Sequence, residues 1–101
     1  MEAFRRYDVL VGPTSLVPAH AHEATELSLG GHGVTPRTLM RATLPWNLTG
    51  SPALSVPFAL SREGLPLGVQ TVGRRFDEET VLRVGVALEE NRDPPLLRPP
   101  L

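Results

Sequence analysis

The sequence predicts a mixed α/β fold that is one piece of a larger α/β protein. Residues 7–11 are apolar and β-branched and residues 54–60 are apolar, which is typical of strands buried on both faces of a sheet. Such strands need helices above and below them, and this chain of 101 residues encodes few helical segments. We therefore expect a strand, a long loop, a short helix, a β-hairpin and a final helix that together form part of a bigger fold.

The first half of the chain contains one strand and one short helix. Residues 2–6 resemble the last turn of a helix, and residues 7–11 form a strand that Gly12 and Pro13 are expected to end. Residues 13–33 have no periodicity and are rich in small and turn-forming residues, so the sequence predicts a long loop there. Thr35 followed by proline predicts a helix start, with the helix ending before Pro45.

The second half predicts a β-hairpin. Residues 47–52 form a turn-rich connection, and residues 54–60 form a strand that Pro57 interrupts. Residues 61–64 are a turn, and residues 67–72 form the second strand.

The final helix has the clearest sequence pattern. Asp77 stands at the N-cap position, and Glu78 and Glu79 place negative charge in the first turn, where the helix dipole favours it. Apolar residues between positions 81 and 88 form a broad face, and Asn91 is the expected stop. We assign residues 1–91 to the folded portion, and residues 92–101, with four prolines, to a tail without a fixed fold.

The composition of the chain argues against several classes of function. The net charge of −1 gives no general attraction for nucleic acid or for an anionic membrane. The chain has no apolar stretch that would span a bilayer, and MEAFRRYD lacks the apolar core of a signal peptide, so we expect a cytoplasmic protein. There is no cysteine, and all ten basic residues are arginines. Because arginine stays protonated near neutral pH, no residue of this chain supplies a lysine-type base or Schiff base.

For the serines and for the arginine pair, a structural role is favoured over catalysis or anion binding. Ser51 and Ser55 lack the G-x-S-x-G pattern, so we expect turn and strand-edge hydrogen bonds rather than nucleophilic catalysis. Arg74 and Arg75 are expected to pair with Glu78, Glu79 or solvent rather than to bind an anion.

Metal binding remains an alternative at the histidines. His20, His22, Glu23 and His32 offer suitable ligand types for zinc or a similar metal. Their spacing matches no helical metal motif, and loop histidines are usually solvated. We therefore expect no metal site and no cofactor.

The run PWNLTGSPALSVPFALSREGLPLGVQTVGRRFDEETVLRVGVALEE, residues 45–90, resembles the C-terminal end of amidase signature enzymes. Four motifs carry this resemblance: residues 46–50, 52–57, 64–70 and 73–78. The segment YDVLVGPTSLVPA, residues 7–19, also looks like the family's strand and following loop.

The resemblance implies a three-layer α/β/α fold with a large mixed sheet. It also implies hydrolysis of amide carbon–nitrogen bonds, or ammonia transfer, through a serine–cis-serine–lysine triad. In the family that triad lies upstream of the segment that this chain resembles, and this chain has no lysine. We therefore expect no catalytic residue here, and a small amide substrate only when the missing N-terminal portion is present.

The resemblance also implies roles for individual residues. Met40 stands where tRNA amidotransferase members carry an aspartate, which favours a general amidase with an apolar pocket. Met40, Thr43 and Trp46 are the expected pocket-wall residues. The positions that match family motifs, and are expected to be structural, are Asn47, Gly50, Pro52, Gly68, Gln70, Gly73 and Asp77.

A non-catalytic role is the alternative hypothesis. The chain would then be an interaction module or a truncated relic, which associates with a partner or with itself through uncovered sheet surfaces.

Overall fold

The computed structural model describes residues 2–92, which contain five strands, two α-helices and two 3₁₀ helices. The strands are β1 Val9–Pro13, β2 Leu27–Leu29, β3 His32–Val34, β4 Ala53–Leu60 and β5 Pro66–Gly73. The α-helices are α1 Leu44–Thr49 and α2 Glu78–Asn91, and 3₁₀ helices span Glu2–Arg5 and Pro36–Ala42. The tail was predicted over residues 92–101; Arg92 is described and donates to the Pro57 carbonyl at 2.9 Å, and the tail from residue 93 onward lies outside the described residues.

The main sheet has the strand order β1-β5-β4, and both pairs are antiparallel. The β4–β5 hairpin is the one that the sequence predicted. Its turn closes where the Gly64 amide donates to the Ser61 carbonyl at 3.0 Å. A register shift falls between Pro57 and Ala59, because proline has no amide hydrogen to give to the ladder.

The two strands expected to need cover on both faces are partly exposed within the described residues, as expected of a piece of a larger fold. β1 and β4 each pair only with β5 there, so they are the two edges of the three-stranded sheet. Val11 on β1 is 59% exposed. The strand ends at Pro13, as the Gly-Pro pair predicted, but both Gly12 and Pro13 are still paired with β5, with Gln70 and Val69.

Helix α2 packs on one face of this sheet. A Cβ atom on Gly73 would lie 2.6 Å from Val81 of α2, and a Cβ atom on Gly85 would touch Leu54 of β4. The absent side chains at Gly73 and Gly85 therefore let the helix and the sheet approach closely. Because Gly73 faces α2, the odd-numbered positions of β5 face the helix and the even-numbered positions face away.

The long loop expected over residues 13–33 contains a second hairpin. Strands β2 and β3 pair antiparallel across Gly30 and Gly31, whose φ angles are 57° and 82°. Two central residues with positive φ match the type I′ turn of a two-residue hairpin. The consecutive glycines at positions 30 and 31 were the sequence signal for this hairpin.

The region between residues 36 and 50 also differs from expectation. A helix was expected to end before Pro45 and a turn to follow. Instead Pro45 lies in the first turn of α1, where the missing amide hydrogen costs nothing. Asn47 was expected to shape a turn but lies inside α1. The helix ends at Gly50, whose φ of 68° is the left-handed conformation that favours glycine.

No helix within residues 2–92 is long and apolar enough to cross a bilayer.

Candidate functional site

The segment formed by the Pro36–Ala42 3₁₀ helix and α1 lies over the sheet face opposite α2. Gln70 occupies an even-numbered position of β5, so its side chain points away from α2. Its Nε2 atom donates to the Ala42 carbonyl oxygen at 2.9 Å, and the Trp46 Nε1 atom donates to the same oxygen at 3.0 Å. Because Gln70 is only 6% exposed, its bond fixes the segment to the sheet from within the fold, and the Trp46 bond joins α1 to the end of the 3₁₀ helix.

The structure places the three expected pocket-wall residues on this segment. Met40 is 49% exposed, whereas Thr43 and Trp46 are half-buried. The Thr43 amide donates to the Met40 carbonyl at 3.1 Å, which joins the 3₁₀ helix to α1. Trp46 uses its only side-chain donor on Ala42, so it holds the segment in place.

Leu44 and Leu48 were not predicted from the sequence as candidate site residues. They are 42% and 80% exposed and lie four residues apart on α1, so they share one face of that helix. Their spacing was the available signal, but the segment was interpreted as a turn. Met40, Leu44 and Leu48 are all exposed large apolar residues of the same short segment, which we call the apolar ridge.

Both candidate serines are hydrogen-bonded to threonine hydroxyls. Ser55 Oγ lies 2.7 Å from Thr14 Oγ1, and Ser51 Oγ lies 2.8 Å from Thr49 Oγ1. A Cβ atom on Gly68 would lie 2.9 Å from both the Ser55 and the Thr14 oxygens, so this position accommodates the hydroxyl pair. These are the turn and strand-edge hydrogen bonds that the sequence predicted.

The histidines form no cluster in the described structure. His20 Nδ1 lies 2.8 Å from the neighbouring Ala21 carbonyl. Across residues 2–92, no three histidine, aspartate or glutamate side chains lie close enough together to hold a metal ion. The metal alternative therefore has no site in this part of the chain.

The remaining motif residues shape the junction between β5 and α2. The Gly73 amide donates to the Pro52 carbonyl at 3.0 Å, which ties the start of β4 to the end of β5. Asp77 caps α2 by accepting from the Thr80 amide at 3.3 Å and from the Thr80 hydroxyl at 2.8 Å. These bonds satisfy donors at the start of the helix.

Arg74 has a different partner from the one expected. It was expected to pair with the glutamates of α2 or with solvent. Instead its guanidinium donates to the Phe4 carbonyl at 2.8 and 3.1 Å, to the Tyr7 carbonyl at 3.3 Å and to Asp8 Oδ1 at 3.0 Å. The side chain thereby anchors the N-terminal 3₁₀ helix to the end of β5.

Two concavities lie elsewhere on the described surface. One is an apolar cleft of about 710 Å³, lined by Pro13, residues 15–19, Phe58, Ala59 and residues 66–69. The other is an open groove of about 760 Å³ between β1 and α2. Neither is lined by Met40, Thr43 or Trp46, so the expected pocket wall is a separate surface.

This chain is similar in sequence to a family model and to curated relatives, and these matches agree with one another. The family model described as Amidase matches residues 1–82. The chain is 43% identical over 91 residues to a fatty acid amide hydrolase from Medicago truncatula, covering 89% of the chain and 15% of the relative. It is 40% identical over 103 residues to the A subunit of a glutamyl-tRNA(Gln) amidotransferase from Bacillus velezensis, covering 99% of the chain and 20% of the relative.

A solved structure agrees with these sequence matches. A crystal structure of an amidase superposes on this chain with a TM-score of 0.84 at 34% identity, covering 89% of the chain and 21% of that protein. The chain thus spans only about a fifth of the length of the proteins it matches. The match over residues 1–82 and the shared mixed α/β architecture show that this chain belongs to the amidase signature family.

Proposed function

We propose that this chain is the C-terminal portion of an amidohydrolase that cleaves carbon–nitrogen amide bonds, and that it does not act alone. The family match over residues 1–82, in a chain spanning about a fifth of its relatives, is the observation that carries this proposal. The remaining portion of the enzyme then supplies the catalytic groups, and this chain supplies sheet, helix and part of the substrate pocket.

The hydrogen bonding of the serines supports this division of labour. A serine nucleophile needs a base within hydrogen-bond reach. Ser51 and Ser55 are each paired with a threonine hydroxyl, which is not a base near neutral pH. The chain has no lysine, which is the base that the family resemblance implies. In this proposal both serines are structural.

The apolar ridge is the proposed contribution to the substrate pocket. Met40 and Leu44 are both partly exposed on the anchored segment, and neither carries a charge that would select a charged substrate. Thr43 lies between them, and its hydroxyl, which donates to the Met40 carbonyl at 3.4 Å, can still accept one hydrogen bond. Gln70 and Trp46 act as positioning residues, because they fix the backbone of this wall through the Ala42 carbonyl. An amide with an apolar substituent fits this wall best.

An activity assay on the purified chain tests the proposal. We expect release of amine or ammonia from a set of aliphatic and aromatic amides to equal that of a buffer blank. A Ser51→Ala, Ser55→Ala double variant is the matched control and should give the same rate. Turnover by the chain that disappears in the double variant would contradict the proposed division of labour.

A second candidate role is self-association. Large exposed apolar residues occur in several parts of the chain, including Tyr7, Val11, Phe76 and Leu82, and both sheet edges are open within residues 2–92. Exposed apolar surface of this kind marks interaction sites. Light scattering coupled to size exclusion distinguishes the two roles. A concentration-independent monomer would remove self-association, whereas a stable dimer would favour it.

A further inference from the structure

Helix α2 leads the chain to the second half of strand β4. The first turn of α2 lies against Gly73, and Gly85, further along the helix, lies against Leu54 of β4. Arg92, the residue after the helix, donates from Nη1 to the Pro57 carbonyl at 2.9 Å. The helix therefore runs along β4 toward Pro57, and the chain leaves the helix at that point.

Arg92 is an anchor at the end of the described residues. Its side chain is only 10% exposed and also lies 3.7 Å from the Glu89 carboxylate. Its φ of −75° and ψ of 146° are the dihedral angles of a polyproline II helix. Its Nε atom is buried and has no hydrogen-bond partner among residues 2–92. A buried donor without an acceptor is costly, so Nε points to an acceptor beyond these residues.

The apolar cleft of about 710 Å³ begins beside this anchor. Phe58 and Ala59, the two residues of β4 that follow Pro57, line the cleft. Leu67 and Val69 line it from odd-numbered positions of β5, on the side of the sheet that α2 covers. Among the described residues, those that line the cleft carry no charge. The cleft is therefore suited to an apolar segment that arrives from the end of α2.

The sequence that follows Arg92 has a matching composition. Residues 93–101 read DPPLLRPPL, with four prolines and three leucines. Proline-rich segments favour the polyproline II conformation, and they dock in apolar grooves that contain aromatic side chains. At ~3.1 Å per residue, a segment of this length in that conformation spans about 28 Å. Because Phe58 is the residue next to Pro57, to which Arg92 is bonded, the segment is long enough to reach the cleft.

We propose that residues 94–97, PPLL, dock in the apolar cleft of their own chain, against Phe58 and Leu67, with Arg92 as the anchor. A carbonyl of this segment accepts the hydrogen bond of the buried Arg92 Nε. Docking removes apolar surface of both partners from water. The anchor holds the segment beside the cleft at a high effective concentration, so it outcompetes a separate proline-rich peptide. The inference goes beyond the proposed function, because the cleft and the apolar ridge are different surfaces.

NMR of the full chain, with labelled leucine methyl groups and phenylalanine rings, tests the inference. We expect nuclear Overhauser effects between the methyl groups of Leu96 and Leu97 and the ring of Phe58. A Leu96→Asp, Leu97→Asp double variant should lose them, because a carboxylate is disfavoured in an uncharged cleft. The emptied cleft of this variant should bind a synthetic DPPLLRPPL peptide at least fivefold more tightly than the unsubstituted chain does. The matched control Leu101→Asp should keep the effects and change the peptide affinity less than twofold.

Substitutions in the cleft wall provide the second arm of the test. In the double variant, Ala19→Glu places a charge on the exposed wall of the cleft and should weaken peptide binding at least fivefold. Ala21→Glu, an exposed alanine of the same loop that does not line the cleft, should change it less than twofold. If circular dichroism shows that Ala19→Glu is unfolded, Ala59→Glu on the β4 side of the cleft replaces it.

Three results would overturn the inference. The first is a full chain without contacts between the two leucines and Phe58. The second is equal peptide affinity of the unsubstituted chain and the double variant. The third is a mixed sample of differently labelled chains in which the contacts form only between copies, which would make a second copy the occupant. None of these readouts depends on amide turnover, so each of these failures would leave the proposed function standing.

Discussion

Gln70 and Trp46 donate to one acceptor, the carbonyl oxygen of Ala42, from a buried strand and from a short helix. This shared oxygen lies two residues beyond Met40, so it fixes the backbone of the proposed pocket wall. The segment has little other support from regular structure, because one half is a 3₁₀ helix and the other is six residues of α-helix. The placement of the wall therefore depends on this pair of hydrogen bonds.

Removing both donors to the Ala42 carbonyl should lower the free energy of unfolding by more than the sum of the two single substitutions. Gln70→Leu and Trp46→Phe should each lower the free energy of unfolding by about 0.5–1.5 kcal/mol, because one donor still serves the carbonyl. The double variant leaves the Ala42 oxygen without either donor, so we expect an additional loss of about 1 kcal/mol. Urea unfolding of the four proteins measures this coupling. Strict additivity would show that the two bonds act independently.

Gly73 should not tolerate a methyl group. An added Cβ would meet Val81 at 2.6 Å, and Val81 is buried and β-branched, so it has little freedom to move. We expect Gly73→Ala to lower the free energy of unfolding by about 1–3 kcal/mol. Gly12→Ala is the control in the same sheet, since nothing lies within 4 Å of its Cβ position. Thermal unfolding of both variants checks this, and equal melting temperatures would contradict the tight contact between α2 and the sheet.

Arg74 should not be replaceable by lysine. Its guanidinium bonds two backbone carbonyls and Asp8 at once, and a single ammonium cannot reproduce that fork. The side chain is 41% exposed, so the charge term is small and we expect a loss of about 1–2 kcal/mol, chiefly from the carbonyl bonds. Arg75→Lys is the matched control and should change stability by less than about 0.5 kcal/mol. Faster amide exchange in residues 2–8 of the Arg74 variant alone is the expected signature.

The turn between β4 and β5 should lose stability as the pH falls. The Ser61 hydroxyl hydrogen-bonds the Glu63 carboxylate and, with the residue's own backbone, holds its pKa below the ordinary value. Because the folded-state pKa is lowered, the stabilisation is present above the unfolded pKa and is lost as the pH falls through the folded pKa. Ser61→Ala should raise the pKa of Glu63, which carbon-detected NMR titration measures directly. An unchanged titration curve would show that the hydroxyl does not act on this carboxylate.

Local signals explain which elements the sequence predicts well. The β4–β5 hairpin follows from two apolar runs around a turn ending in Gly64, and α2 follows from the Asp77 cap and its apolar face; these signals act within a few residues. Their motifs also carried the family resemblance. The turn and strand-edge hydrogen bonds of the serines were predictable too, because the expected base and elbow glycines are missing from the sequence.

The remaining features depend on distant contacts. The edge position of β1 is one of them, because residues 7–11 are apolar and nothing in their own sequence says that only one neighbouring strand lies within the described residues. The role of Arg74 depends on carbonyls about seventy residues earlier in the sequence. The exposed leucines of α1 were missed because Pro45 was taken as a helix end, whereas it stands in the first turn.

Labelling with a fluorophosphonate tests the central claim most directly, because such reagents form a covalent adduct with an activated serine. We predict that intact mass spectrometry of the purified chain shows no adduct, since Ser51 and Ser55 are bonded to threonine hydroxyls. A full-length amidase relative labelled in the same tube confirms that the reagent is active. An adduct on this chain that disappears with Ser51→Ala or Ser55→Ala would contradict the claim that the catalytic serine lies in the rest of the enzyme.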